Sequence, residues 1–572
     1  MAHFNNYDTY PEKTIDGYTG YRGWKDIVAA IKTSIGNSAV IVLDYYPGVD
    51  ATEIRAGLET ALSACWFDAE SCTISDKEYN RIIRPFVTED RVFGIMNTMK
   101  MSDVYDGAKI SAMREDVAKT TGIRVVAGVG ASLVTQGDVL VYFDLARWEI
   151  QERFAKGAAN WKSANADEHK LSKFKQGYFV EWRIADRHKK ELLDDVDFLV
   201  DTNESGRPNA VSGDGFRKGL EKFSVEPFRT VPYFAPEVWG GQWMKDVCGL
   251  DNDAPNYAWA FDGVPEENSI YMRFGDVRLE VPSVDALFYR PALMLGERVH
   301  ARFGDEFPIR FDFLDTMGGQ NLSLQVHPLT EYIQNTFGMH YTQDESYYIM
   351  DCGPDAFVYL GLKEGIQPQR MIADLKEAQK GKKIFDDEKY VNTFPCKKHD
   401  HFLIPAGTVH CSGKNTMVLE ISATPYIFTF KLWDWGRLGL DGLPRPVHIN
   451  HGEKVVAWDR TTEWVKENLI NRFEELPSDE CKIERTGLHR RGFIESVRYT
   501  VANCVVVQRT GSVNMCNVVE GKGAIIESPD NVFSPFEVHY AETFILPAAA
   551  GAFSIRPLEG EKEVMVISAH VR

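Results

Sequence analysis

The chain has 572 residues, too many for one hydrophobic core, and its length points to two to four domains. Hydrophobic residues make up 44% and charged residues 26%, which is the balance of a soluble globular protein and excludes a disordered or membrane-embedded one. A formal charge of −19 with no long basic stripe excludes a general nucleic-acid surface, and any anionic ligand must be met by a local cationic pocket.

Nine cysteines lie far apart with no C-x-x-C pair, which fits reduced thiols and neither a zinc ribbon nor a disulfide framework. The first eight residues lack the basic and apolar regions of a signal peptide. No apolar run approaches the ~18 residues that cross a bilayer. These features predict a cytoplasmic protein with no membrane partner.

Residues 1–225 alternate strand and helix patterns. Ser38–Leu43 is a β-branched apolar run, and Ala51–Ala64 follows with helical spacing. Ile123–Val126 and Val139–Phe143 read as buried strands, with the helix Arg147–Phe154 behind the second. Tyr178–Ile184, Arg187–Asp194 and Val196–Asp201 repeat strand, helix, strand. This alternation predicts a parallel sheet covered on both faces. The turn Asp44–Thr52 has no Lys, carries Asp44 and Asp50, and loses an amide donor at Pro47, so it cannot cradle a triphosphate. Gly128-Val129-Gly130 is too short for a dinucleotide fingerprint. The strand–turn–helix at Ser38–Ala64, the segment Val125–Ala131, and Val141–Leu145 before an Arg-bearing helix resemble the nucleoside- and phosphoribulose-kinase branch of the P-loop fold. The resemblance implies a kinase-like α/β domain with a degenerate P-loop, kept for packing or binding.

Residues 203–232 mix turn residues with a short amphipathic helix at Phe216–Phe223 and read as a linker. From Val231 the chain turns to short strands, frequent Pro and Gly, and many aromatics, the habit of barrels and sandwiches. Helical stretches at Pro368–Gly381 and Glu463–Glu475 interrupt it. The tail Gly492–Val571 keeps the short-strand rhythm but has no Q-x-H pair, and its His539 reads as a surface or core residue.

Leu322–His327 alternates apolar and polar, so Ser323, Gln325 and His327 share one strand face. Glu345 opens a later aromatic strand, and His410 lies within the run His401–Gly413. Imidazole nitrogens and a carboxylate suit a divalent metal. Two His and one carboxylate also describe the ferrous triad of an oxygenase.

Leu-Ser-Leu-Gln-Val-His-Pro (322–328), Glu345 before its strand, Ile-Pro-Ala-Gly-Thr-Val-His (404–410) and Val-Leu-Glu-Ile-Ser (418–422) closely resemble the type I mannose-6-phosphate isomerase family. Val238–Gly241, Trp433–Arg437 and Arg445–Ile449 extend the likeness over roughly residues 230–572. The resemblance implies a zinc-dependent double cupin with one Zn²⁺ per chain, held by Gln325, His327, Glu345 and His410. It implies an acid/base role for Glu420, which alternatively orients a ligand or pairs with Lys431. It further implies charge stabilisation by Lys431 and a substrate contact from Ser323, while Arg437 is a catalytic and second anion-binding candidate because a guanidinium binds phosphate bidentately.

Three positions depart from the family pattern. Asp312 and Gln343 stand where the family has Lys, and Lys431 where it has Arg. The pocket has thus lost cations on the phosphate side, and both Asp312 and Gln343 face the substrate in this reading. The expected architecture is multidomain: a kinase-like α/β domain at 1–225, a metal-binding cupin with helical insertions at 226–490, and a metal-free cupin at 491–572. The expected activity is aldose–ketose isomerisation of a hexose phosphate or related sugar through an enediol. The alternatives are a cupin that binds or senses a sugar without turnover, and a cupin oxygenase.

Overall fold

A computed structural model describes residues 6–423, 426–487 and 489–572. The first five residues, part of the segment read as lacking a signal peptide, lie outside the described residues.

Eight strands belong to the N-terminal part: β1 (Glu12–Thr14), β2 (Tyr21–Arg22), β3 (Ala39–Tyr45), β4 (Cys65–Asp68), β5 (Ile123–Gly128), β6 (Val139–Asp144), β7 (Phe198–Asp201) and β8 (Asn209–Ser212). Seven of them form one sheet in the order β2-β8-β7-β6-β3-β5-β4. The strands β4, β5, β3, β6 and β7 run parallel, and β8 and β2 close one side antiparallel. β3 and β6 are apolar along both faces, and Ile41, Val42, Val141 and Phe143 are fully buried, as a sheet sandwiched between helices requires. The helices Ala51–Leu62 and Arg147–Ala155 stand where the spacing predicts them.

Two expectations fail here. Tyr178–Ile184 is not a strand; it lies in a helical run from Lys170 to Leu192, with a π turn at Gly177–Glu181. Tyr178, Phe179, Val180 and Ile184 are all fully buried, and a short apolar run buried on every side has no period that separates helix from strand. Nor is 203–232 a free linker. It contains β8 and the helix Gly213–Val225, whose Phe216 and Leu220 are fully buried.

The remainder is mainly β. After β9 (Tyr233–Ala235), β10 (Trp259–Gly263), β11 (Ser269–Phe274) and β12 (Val277–Pro282) come β13 (Arg310–Asp315), β14 (Leu324–Val326), β15 (Glu345–Cys352) and β16 (Phe357–Leu362). β17 (Val391–Pro395), β18 (His401–Ile404), β19 (His410–Ser412), β20 (Thr416–Ser422) and β21 (Phe430–Trp433) follow. They build a six-stranded sheet, β18-β15-β20-β13-β10-β9, and a five-stranded one, β17-β16-β19-β14-β21. β11 and β12 leave these sheets and pair with each other, and β1 adds to β11 in parallel. The helix Pro368–Gln379 interrupts as predicted. In the second stretch only Thr462–Asn468 is helical, and Glu474–Leu476 is a strand pairing with Lys482–Gly487. The tail forms another pair of sheets, of six and four strands, around its own core of Val501, Phe544, Phe553 and Val566. No helix is long and apolar enough to cross a membrane among the described residues.

Candidate metal centre

The site lies between the two sheets of the first β unit. β14 runs between β19 and β21, with Gln325 opposite both His410 and Lys431. Glu345, the first residue of β15, comes from the facing sheet. His327, Glu345 and His410 are buried, and their ligand atoms all lie within 4.8 Å of one another. His327 Nε2 is 2.7 Å from Glu345 Oε2, and His410 Nε2 is 3.0 Å from Glu345 Oε1. The Gln325 amide nitrogen is 3.3 Å from His410 Nε2, and a half-turn of the amide presents its oxygen instead.

Each imidazole is locked by its other nitrogen. His327 Nδ1 donates to the Phe428 carbonyl at 2.9 Å, and His410 Nδ1 to the Thr408 carbonyl at 2.8 Å. Both Nε2 atoms therefore present a lone pair to the shared point, as metal ligation needs. His327 Nε2 and Glu345 Oε1 are buried without a hydrogen-bond partner. A divalent cation would satisfy both, and the donor set of two imidazoles, one carboxylate and one amide suits zinc. Burial opposes ionisation of Glu345; the two histidines hold its carboxyl well below the usual range only when they are protonated, and with neutral imidazoles a bound cation would take that role.

Beside the ligands stands a second group. Glu420 lies opposite Asp312 on β13 and Tyr347 on β15. Burial, then Glu345, then Asp312 push its carboxyl well above the ordinary value. It does not pair with Lys431. Gln343 is not an open substrate contact: its amide donates to Glu345 at 3.1 Å and to Glu420 at 3.4 Å, while its oxygen accepts the Phe428 amide at 2.9 Å. Asp312 is not a bare carboxylate, because Arg310 on the same strand face pairs with it at 2.6 Å. Arg310 escaped the sequence reading, although strand alternation puts residues two apart on one face.

Ser323 Oγ is buried and has no hydrogen-bond partner. Lys431 is half-buried, and its ammonium is lowered to about 8 by burial and then by Arg445. Arg437 is not gathered with the ligands. It donates to Asp434 and, at 2.8 Å, to the Asn321 carbonyl, while Arg445 binds Asp434 and Glu237.

In the N-terminal sheet, the carboxyl ends of the strands are where open α/β folds take ligands. Here they are filled from within. Asp44 accepts from Gly130 N and Ser132 N at 2.9 Å each and contacts His188 at 3.0 Å. Asp50 accepts from the Thr52 and Glu53 amides, the donors a phosphate would use. Lys189 lies between Asp144 and Asp285, and Arg147 bridges Asp186 and Glu266.

Residues 23–225 match a family described as a domain of unknown function (DUF8485). The chain is 24% identical over 353 residues to mannose-6-phosphate isomerase ManA of Bacillus subtilis (strain 168), an overlap of 60% of this chain and 99% of the relative. It is 25% identical over 350 residues to the probable mannose-6-phosphate isomerase GmuF of the same organism, again 60% and 99%. The crystal structure of the mannose 6-phosphate isomerase from Bacillus subtilis superposes with a TM-score of 0.49 at 19% identity, covering 60% of this chain and all of that one.

Proposed function

We propose that the chain is an isomerase, a zinc enzyme of the cupin type that interconverts an aldose and a ketose, with a hexose phosphate or a related sugar as substrate. The observation that carries this is the convergence of two carbonyl-locked imidazoles and a buried carboxylate beside the buried carboxyl of Glu420. The curated relatives named above are mannose-6-phosphate isomerases, and they support the same reading. Gln325, His327, Glu345 and His410 would hold the ion. When bound, it supplies a Lewis acid for the substrate oxygen. Glu420, beside the ligands, would take the C2 proton of the aldose as a carboxylate and return it to C1 as the acid. Lys431 lies one strand from Gln325 and can stabilise the oxyanion of the enediol. Ser323 offers its unsatisfied hydroxyl to the sugar or its phosphate, and Arg437 orders the rim through Asp434.

In this reading residues 1–225 are a kinase-like domain whose phosphate site has been given over to internal ion pairs, residues 226–490 the metal cupin, and residues 491–572 a metal-free one. The test is solvent hydrogen exchange at C1 and C2 of mannose 6-phosphate and fructose 6-phosphate. Exchange should require the metal, and Glu420→Gln should lower kcat/KM by about 10²–10⁴. A metal-loaded chain that binds these sugars without exchange is a sensor, and one that consumes oxygen is an oxygenase.

A further inference from the structure

Phe428 has an unusual burden. Its carbonyl locks His327 and its amide N–H holds Gln343, which in turn holds Glu345. Yet Phe428 lies in the irregular stretch before β21, outside any ladder. What fixes that peptide is the burial of its ring, and much of the wall comes from the other half of the chain. Phe93 stacks on it with ring centroids 5.4 Å apart and an angle of 14°. Phe179 packs edge-on at 6.2 Å. The neighbouring Tyr426 packs on Tyr178 at 4.4 Å and donates to the Val92 carbonyl at 3.2 Å.

Phe93 is itself held rigidly. Asp90 accepts from the Val92 and Phe93 amides at 2.7 and 2.8 Å, Thr88 Oγ donates to the Phe93 carbonyl at 2.6 Å, and the Met96 amide bonds to the Phe337 carbonyl at 2.9 Å. The ring is 1% exposed and also touches Phe430 and His448.

We infer that the N-terminal domain is a working part of the metal centre: Phe93, on the loop 88–97, is a positioning residue that sets the ligands His327 and Glu345 through the peptide of Phe428. The inference rests on the metal reading above and gives the domain of unknown function a task that needs no ligand of its own. A rigid wall across the domain boundary keeps the Phe428 carbonyl on Nδ1. If that wall is removed, the imidazole is free to turn and its Nε2 leaves the shared point.

The experiment uses the full chain with Zn²⁺ as the probe and competition with a chelating dye as the readout. Partners that orient a ligand typically contribute 10–100-fold to metal affinity, and one acting through an intermediate residue belongs at the low end, so Phe93→Ala should weaken zinc binding about tenfold. Phe93→Leu, which keeps most of the apolar volume, should recover most of that loss. Phe223→Ala, an equally buried ring against Phe228, should lower stability without changing zinc affinity. Hydrogen exchange on the wild-type chain needs no variant: zinc should slow exchange in 88–97 and leave 213–225 unchanged. Wild-type affinity in a folded Phe93→Ala chain, or zinc protection that stops short of 88–97, overturns the inference alone. A wild-type chain that binds no zinc overturns the metal reading and the inference with it.

Discussion

An imidazole can serve a metal with only one nitrogen at a time, and the Phe428 and Thr408 carbonyls decide which. A neutral, buried histidine elsewhere shows the same discipline with a different result. His401 is fully buried, its Nε2 sits 2.9 Å from Ser346 Oγ, and burial, then Arg498, lowers it to about 3. The unfolded chain takes up this proton near pH 6.5 and the folded chain does not, so the contribution is complete above pH 6.5 and is lost as the pH falls toward 3. At 1.36 kcal/mol per unit the loss is roughly 3 kcal/mol by pH 4. Denaturant midpoints of the wild type should therefore fall more steeply between pH 6.5 and 4.5 than those of His401→Gln. Parallel slopes would refute the assignment. At Asp312, a substitution by Lys should not help. Arg310 already pairs with this carboxylate in the interior, so Asp312→Lys opposes two buried cations and should cost about 3–5 kcal/mol in denaturant unfolding. The convergence of His327, Glu345 and His410 was legible because strand alternation and motif spacing are local signals. The Arg310–Asp312 pair was equally legible by alternation, and reading Asp312 alone missed it. Phe93 left no trace, because a stacking partner 335 positions away imposes no local pattern.

At the scale of elements, the parallel strands announced themselves as apolar runs, and β3, β5 and β6 fall within two residues of their predicted limits. The run 178–184 did not, since complete burial erases the period that would identify a helix. Helix packing adds a constraint that propensity alone gets backwards. Gly57 lies inside the helix Ala51–Leu62, where Ala is favoured over Gly by about 1 kcal/mol. A Cβ there would stand 2.2 Å from the Trp24 indole, far inside contact distance. Overpacking of this kind costs about 1–3 kcal/mol, so Gly57→Ala should lower stability, whereas Gly57→Ala combined with Trp24→Leu should recover the helix-propensity gain. A stabilised single variant in thermal unfolding would show that the two helices can part without cost.

Across the whole molecule, the two halves are joined by buried charge. Lys189 reaches Asp285, and Arg147 and Arg183 reach Glu266. Removing one partner of such a group strands the others, at about 3–5 kcal/mol. Lys189→Met should therefore shift the unfolding of both halves together, seen as coincident transitions by fluorescence and by zinc release. Two separated transitions would mean that the halves fold independently.

The pairing of β1 with β11 carries a consequence for synthesis. Glu12 lies opposite Tyr271, so β1, made first, must wait for β11. At 5–20 residues per second a ribosome needs on the order of tens of seconds to supply the partner. Throughout that interval the nascent N-terminal domain carries an unpaired strand, and Lys189 meets Asp144 without Asp285. A stop codon after residue 225 makes the wait permanent. That fragment should aggregate when expressed alone and become soluble when residues 226–572 are supplied in trans.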